Sequence, residues 1–143
     1  MEKRNTSVIG NIGQAKVFSK FVELGIPVYL PFGEGYVVDL IADFNGKLNK
    51  IQIKTTEKLH DNSYMKWRIT HQDGYHGSRK KYTSDEVDYF ALYCIESDIT
   101  CLVPLEEAKT LEVKIRLDLF EGVRQKNMKF VSDYKFEKFI KFK

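Results

Sequence analysis

The chain has 143 residues, of which 43% are hydrophobic and 30% charged, a length and balance that support one soluble globular domain over residues 1–143 without disulfides or a structural metal. No apolar run approaches the roughly 18 residues of a membrane span, and Met1-Glu2-Lys3-Arg4-Asn5 has no signal-peptide core, so a cytoplasmic protein without a membrane partner is expected. A formal net charge of +3 permits nucleic-acid binding without arguing for it, because a local basic stripe matters more than the total.

From Thr6 to Leu24, Val8, Ile12, Ala15, Phe18 and Val22 recur at three- and four-residue spacing, with Ile9, Val17, Phe21 and Leu24 beside them. That pattern predicts a helix with one broad apolar face. Asn5, Thr6 or Ser7 can supply its N-cap, and Gly25 suits the position beyond its C-cap. Gly10 and Gly13 each cost about 1 kcal/mol against Ala inside a helix. They are therefore expected where another backbone or a ligand comes close. Ile26-Pro27-Val28-Tyr29-Leu30-Pro31, bounded by prolines, reads as a short edge strand, and Phe32-Gly33-Glu34-Gly35-Tyr36 as a loop.

Val37 to Lys54 reads as a β-hairpin turning at Asn45-Gly46, the dipeptide that suits a type I′ turn. A two-residue turn fixes the register by counting: Phe44 faces Lys47, Asp43 faces Leu48, Ile41 faces Lys50 and Asp39 faces Gln52. Leu40, Ala42, Ile51 and Ile53 then point into a core, while Asp39, Gln52 and Lys54 share the other face. A three-residue turn would place Asp39 opposite Ile53 and dissolve this cluster.

Met65-Lys66-Trp67-Arg68-Ile69 alternates and predicts a strand with Lys66 and Arg68 on one side. His71 to Tyr82 is rich in Gly, His, Lys and Arg; it is either a solvated loop or one in which Arg79, Lys80 and Lys81 contact phosphates while Tyr75 or Trp67 stacks on the nucleic acid. Val87 to Ile95 is nearly continuous in apolar residues, as in a strand buried on both faces, and Ile99 to Pro104 is its expected partner. Pro104-Leu105-Glu106-Glu107-Ala108 suits the first turn of a short helix. Val113 to Leu119 alternates as a half-exposed strand, and Tyr134 to Lys143 suits a short helix with an aromatic face. Cys94 and Cys101 lie in these apolar surroundings and read as core thiols. The order of elements gives an α/β fold around a mixed sheet.

The shared face of Asp39, Gln52 and Lys54 has a chemical reading. Mg²⁺ takes oxygen ligands and is held by one or two carboxylates plus substrate phosphate. Asp39 offers a carboxylate, Gln52 an amide oxygen and Ile53 its backbone carbonyl, while the Lys54 ammonium can stabilise the charge that grows on a phosphorane or orient a water. The alternative is a surface ion pair between Asp39 and Lys54. Against it, Asp39 interrupts the apolar run Val37-Val38-Asp39-Leu40-Ile41, and a half-buried carboxylate needs a partner or a metal. His60, His71 and His76 have no zinc-site spacing with the cysteines.

Asp39, about a dozen intervening residues and then Gln52-Ile53-Lys54 resemble the motif of the PD-(D/E)XK nuclease superfamily. Gly10-Asn11-Ile12-Gly13-Gln14 resembles the G-x-x-G-E element of archaeal Holliday-junction resolvases and of the group I intron homing endonucleases that share their fold. In that intron-encoded subgroup the second acidic position is glutamine, as Gln52 is here. Tyr82 with Val87-Asp88-Tyr89-Phe90, and Leu102-Val103-Pro104, are similar to the same subgroup, so the resemblance spans roughly residues 8–104.

The resemblance implies a restriction-endonuclease-like core, a mixed β-sheet flanked by helices. It implies Asp39 as metal ligand, Gln52 as a second metal-side group, Lys54 as catalytic lysine and Gln14 at the helix glutamate position. Two usually acidic positions are thus neutral amides, which weakens cation binding; Glu34 on the nearby loop is a candidate substitute. The expected function is a Mg²⁺-dependent (or Mn²⁺-dependent) DNA endonuclease acting as a homodimer or homotetramer, with Lys66, Arg68, Arg79, Lys80 and Lys81 on the DNA. The alternatives are a nuclease fold that binds nucleic acid without cutting it, and an interaction domain docking through its aromatic tail.

Overall fold

Helix α1 spans Thr6–Glu23. Asn5 caps it, its side-chain oxygen accepting the Val8 N–H at 2.9 Å. The structure, a computed structural model, describes residues 4–72, 79–118 and 127–142; the side chains of His71, Gln72 and Arg79 are also outside the description. Residues 73–78 of the basic loop and Leu119 of the predicted strand therefore lie outside the described residues, as does the Arg79 contact.

Strand β1 (Val28–Tyr29) is the short edge strand. Strands β2 (Leu40–Phe44) and β3 (Lys47–Thr56) form the hairpin in the predicted register, from Phe44 opposite Lys47 to Leu40 opposite Ile51. Asn45 and Gly46 take φ of 57° and 72°, the left-handed pair a type I′ turn requires. Strands β4 (Tyr64–Arg68), β5 (His71–Gln72) and β6 (Arg79–Lys80) follow, then β7 (Tyr89–Cys94), β8 (Ile99–Pro104) and β9 (Glu112–Arg116). A one-turn 3-10 helix, Leu105–Glu107, takes the place of the expected short helix after Pro104.

The main sheet has the order β1-β2-β3-β7-β8, with β3 and β7 parallel and the other pairs antiparallel. Its interior strand β7 is buried on both faces, as its apolar run requires. One face packs Leu40, Ala42, Ile51, Ile53, Ala91 and Tyr93 against Val17 and Phe21 of α1 and against Phe136 of the short helix α2 (Phe136–Phe139). The other face packs Phe90, Leu92 and Cys94 beneath Met65, Trp67, Val113 and Ile115, the inward residues of an antiparallel β4–β9 ribbon. Cys94 and Cys101 are buried free thiols.

Two expectations are corrected. The apolar side of α1 is not one buried face: Gly13, Val17 and Phe21 form the buried row, while Val8, Ala15, Phe18 and Val22 are exposed. The sheet touches the helix along one narrow line, so apolar residues to its other side have nothing among the described residues to cover them. The aromatic tail is also not a free docking face. Phe136 is fully buried, with its ring 4.9 Å from that of Phe21, and Ile140 is buried beside it. The Asn45 side chain grips this tail at the hairpin tip, donating to the Phe139 carbonyl and accepting from the Lys141 N–H, both at 2.7 Å.

The two helix glycines differ. A Cβ on Gly13 would lie 1.7 Å from Thr55 Oγ1 and 2.9 Å from Thr55 Cβ, whereas a Cβ on Gly10 meets nothing within 4 Å. Gly13 is thus where α1 comes down on β3, and Gly10 plays no such part. Gly13→Ala is expected to destabilise the fold by about 1–3 kcal/mol through overpacking. Gly10→Ala is expected to stabilise it by up to about 1 kcal/mol through helix propensity. Urea unfolding of the two variants checks both signs.

Candidate active site

Asp39 stands one residue ahead of β2, at the point where the hairpin partners separate. Its N–H donates to the Ile51 carbonyl at 2.9 Å. Beyond this point β3 continues to Thr56 with β7 on its other edge, but no longer has β2 beside it. The Asp39 carboxylate fills the gap: Oδ2 accepts the Ile53 N–H at 2.7 Å, a bond that strand pairing would otherwise supply. Peptide groups alternate between the two edges of a strand, so the Ile53 carbonyl points to the same edge as the Ile51 carbonyl, toward Asp39.

Gln14 reaches this point from α1, its Nε2 donating to Asp39 Oδ1 at 3.4 Å. The reach depends on the neighbouring Gly13, whose missing side chain lets the helix approach Thr55. The helix position and the hairpin acid, 25 residues apart in sequence, are therefore in contact.

Gln52 and Lys54 project from the sheet face that carries Phe90 and Leu92, their partners on β7. Gln52 Oε1 is buried and has no hydrogen-bond partner among the described residues. A buried acceptor in this condition costs roughly 1–3 kcal/mol. Lys54 Nζ lies 3.5 Å from the Thr70 carbonyl and 5.2 Å from the centre of the Tyr82 ring, within cation–π range. Burial, then the charges of Asp39 and Glu86, push the Tyr82 hydroxyl up to about 12, so it stays protonated.

Burial also raises the Asp39 carboxyl above its ordinary value, against the opposing pull of the Ile53 N–H, the Lys54 charge and the Gln14 amide. The short contacts to Asp39 come from Ile53 and Gln14; Lys54 acts on it through its field. A simple surface ion pair is not what holds this carboxylate.

The oxygen donors that Asp39, Gln52 and Ile53 offer are one carboxylate, one amide oxygen left without a partner among the described residues, and one backbone carbonyl. That set suits a hard divalent cation of the Mg²⁺ or Mn²⁺ type, and the unpartnered Gln52 Oε1 is the feature that most needs such a partner. Among the described residues no group of three His, Cys, Asp or Glu converges on a common point. The acidic charge of the cluster is that of Asp39.

The remaining sequence candidates lie elsewhere. Lys66 and Arg68 are on the outward face of β4, Lys80 and Lys81 are exposed on and after β6, and Glu34 is exposed in the loop before β2. Composition and spacing mark neither Tyr82 nor Thr70 as a site residue. Tyr82 carried a signal only through the family pattern, and a backbone carbonyl such as that of Thr70 carries none.

Because Asp39 keeps its proton to higher pH in the folded chain than in the unfolded one, it weakens the fold as pH rises through that window, and the loss is absent at more acidic pH. Asp39→Asn preserves the shape without the charge. Its thermal midpoint should exceed that of the wild type at pH 7, with the gap closing as pH falls below about 4. Melting curves across this range decide it, and a lower midpoint for the variant at pH 7 would contradict the burial argument.

A family model described as PD-(D/E)XK endonuclease matches residues 4–137. Among solved structures the chain is similar to a bacterial homing endonuclease, I-Ssp6803I, with a TM-score of 0.67 over 92% of this chain and 88% of that one. At 21% identity this likeness shows the shared fold. No curated protein sequence matches the chain significantly. The family match runs from α1 into α2, across the mixed sheet and every residue of the cluster, and the chain belongs to the PD-(D/E)XK endonuclease family.

Proposed function

We propose that this chain is a single-domain, metal-dependent DNA endonuclease of the cytoplasm that hydrolyses phosphodiester bonds. The observation that carries this reading is the buried Gln52 Oε1, without a hydrogen-bond partner among the described residues, on the strand whose Ile53 N–H holds the Asp39 carboxylate. Asp39, Gln52 and the Ile53 carbonyl would hold Mg²⁺, with Mn²⁺ as an alternative. When bound, the cation supplies Lewis-acid stabilisation of a phosphate oxygen and lowers the pKa of a coordinated water.

The chain's own residues do the rest. The Ile53 N–H and the Gln14 amide fix the Asp39 carboxylate in orientation. The Thr70 carbonyl and the Tyr82 ring hold the Lys54 ammonium over the edge of the sheet, where it neutralises charge developing on the scissile phosphate. The Lys66, Arg68, Arg79, Lys80 and Lys81 cations contact the DNA backbone, and a homodimer or homotetramer would bring two such sites to two strands. Plasmid cleavage with Mg²⁺ or Mn²⁺ tests this: Asp39→Ala and Lys54→Ala should each lower the rate by about 10²-fold or more. Unchanged cleavage in either variant would remove that residue from the site.

A second reading, a nuclease fold that binds DNA with weak or no turnover, is favoured by one observation. The cluster holds one carboxylate, and both of its oxygens already accept hydrogen bonds. Gln52→Glu would then place a charge where the orphaned oxygen now is, and Gln14→Glu would add a second beside Asp39. Calorimetric titration with Mg²⁺ should show tighter binding in each variant than in the wild type.

A further inference from the structure

The β4–β9 ribbon buries Met65, Trp67, Val113 and Ile115 and turns its other side chains outward. Directly paired residues on that outer face are Tyr64 with Arg116, Lys66 with Lys114, and Arg68 with Glu112. Four cations and one acid thus occupy six positions. Two lysines directly opposite each other on a ladder repel, since their Cβ atoms are about 4.5–5.5 Å apart. Among the described residues neither Lys66 nor Lys114 has a carboxylate within ion-pair distance. The Tyr64 ring anchors the far end: His60 stacks on it at 5.2 Å, with Lys114 at 5.7 Å and Arg116 at 5.2 Å from its centre.

The end of β4 reaches the candidate active site through its backbone. Arg68 ends β4, and two residues later the Thr70 carbonyl meets the Lys54 ammonium. Residues on one face of a strand recur about every 6.6 Å, so along the ribbon the cations run from Arg68 to the Lys66–Lys114 pair and on to Arg116. Two lysines held opposite each other, with no carboxylate in ion-pair reach among the described residues, favour an anion on this face.

We propose that the outer face of the β4–β9 ribbon is a DNA-backbone track, and that Lys114 and Arg116 belong to it together with Lys66 and Arg68. The track grips phosphates of the duplex flanking the scissile bond. Its contacts position the substrate and read no sequence, because lysine and arginine on phosphate oxygens carry no base information. This inference rests on the nuclease reading above and adds the surface that holds its substrate.

The test is fluorescence anisotropy of a labelled mixed-sequence duplex with the full-length protein, without divalent metal, over a range of salt. Each phosphate contact contributes about 0.9 to the slope of log affinity against log salt concentration. The Lys66→Gln/Lys114→Gln double variant should lose about 1.8 from that slope. Its thermal midpoint should equal or exceed that of the wild type, since the repulsion is gone, and with Mg²⁺ its KM for DNA should rise while kcat holds. A control pair on the opposite side of the sheet, Lys135→Gln/Lys138→Gln, should leave the slope unchanged.

Wild-type binding with the same slope in the ribbon variant would overturn the track and leave the nuclease reading standing. An equal fall in the control pair would also overturn it, because net charge alone would then account for the effect. A wild-type protein that neither binds nor cuts DNA would remove both readings together.

Discussion

The structure turns on one hydrogen bond, from the Ile53 N–H to Asp39 Oδ2 at 2.7 Å. Where β2 parts from β3, the exposed edge of β3 would otherwise leave donors and acceptors without a strand to meet them. A side-chain carboxylate meets the donor instead. That solution terminates the hairpin and at the same time fixes an anionic oxygen on the strand edge where β3 has lost its ladder partner. The cluster is therefore a product of how the sheet ends, and its rigidity is inherited from the sheet.

The second constraint is the approach of α1. A helix carrying a Cβ at position 13 would be held away from Thr55, and Gln14 would be carried away from Asp39 with it. Backbone proximity thus decides a polar contact one residue along. The opposite wall follows the same logic at a different scale. Tyr82 packs edge-on against Phe90 with ring centres 5.3 Å apart, so the surface under Lys54 is fixed by the core beneath it.

Much of this was legible in the sequence, for reasons that differ by residue. Asn45-Gly46 admits so few backbone geometries that it set the hairpin register by itself, and the apolar run through Phe90 and Leu92 marked a strand covered on both sides. The alternation in residues 64–68 and 112–116 identified two strands, but nothing local said that Lys66 would face Lys114, because pairing between distant segments depends on how the whole sheet is covered. The α1 pattern misled because apolar residues occupy more of its circumference than the sheet can bury. The contact between Gln14 and Asp39 came only by way of a family pattern; its physical cause, the clearance between Gly13 and Thr55, needs three dimensions to see.

The Asn45 grip on Phe139 and Lys141 joins residues 94 and 96 positions apart. During synthesis the hairpin leaves the ribosome long before those partners exist, so its tip and the aromatic pocket around Phe21 stay open in the interim. Local contacts can form early, but this one must wait for a long loop to close. The hairpin that carries Asp39 and Lys54 is thus made early, just after β1, and its tip is fastened only once the tail arrives, which ties the final geometry of the cluster to a late step in folding.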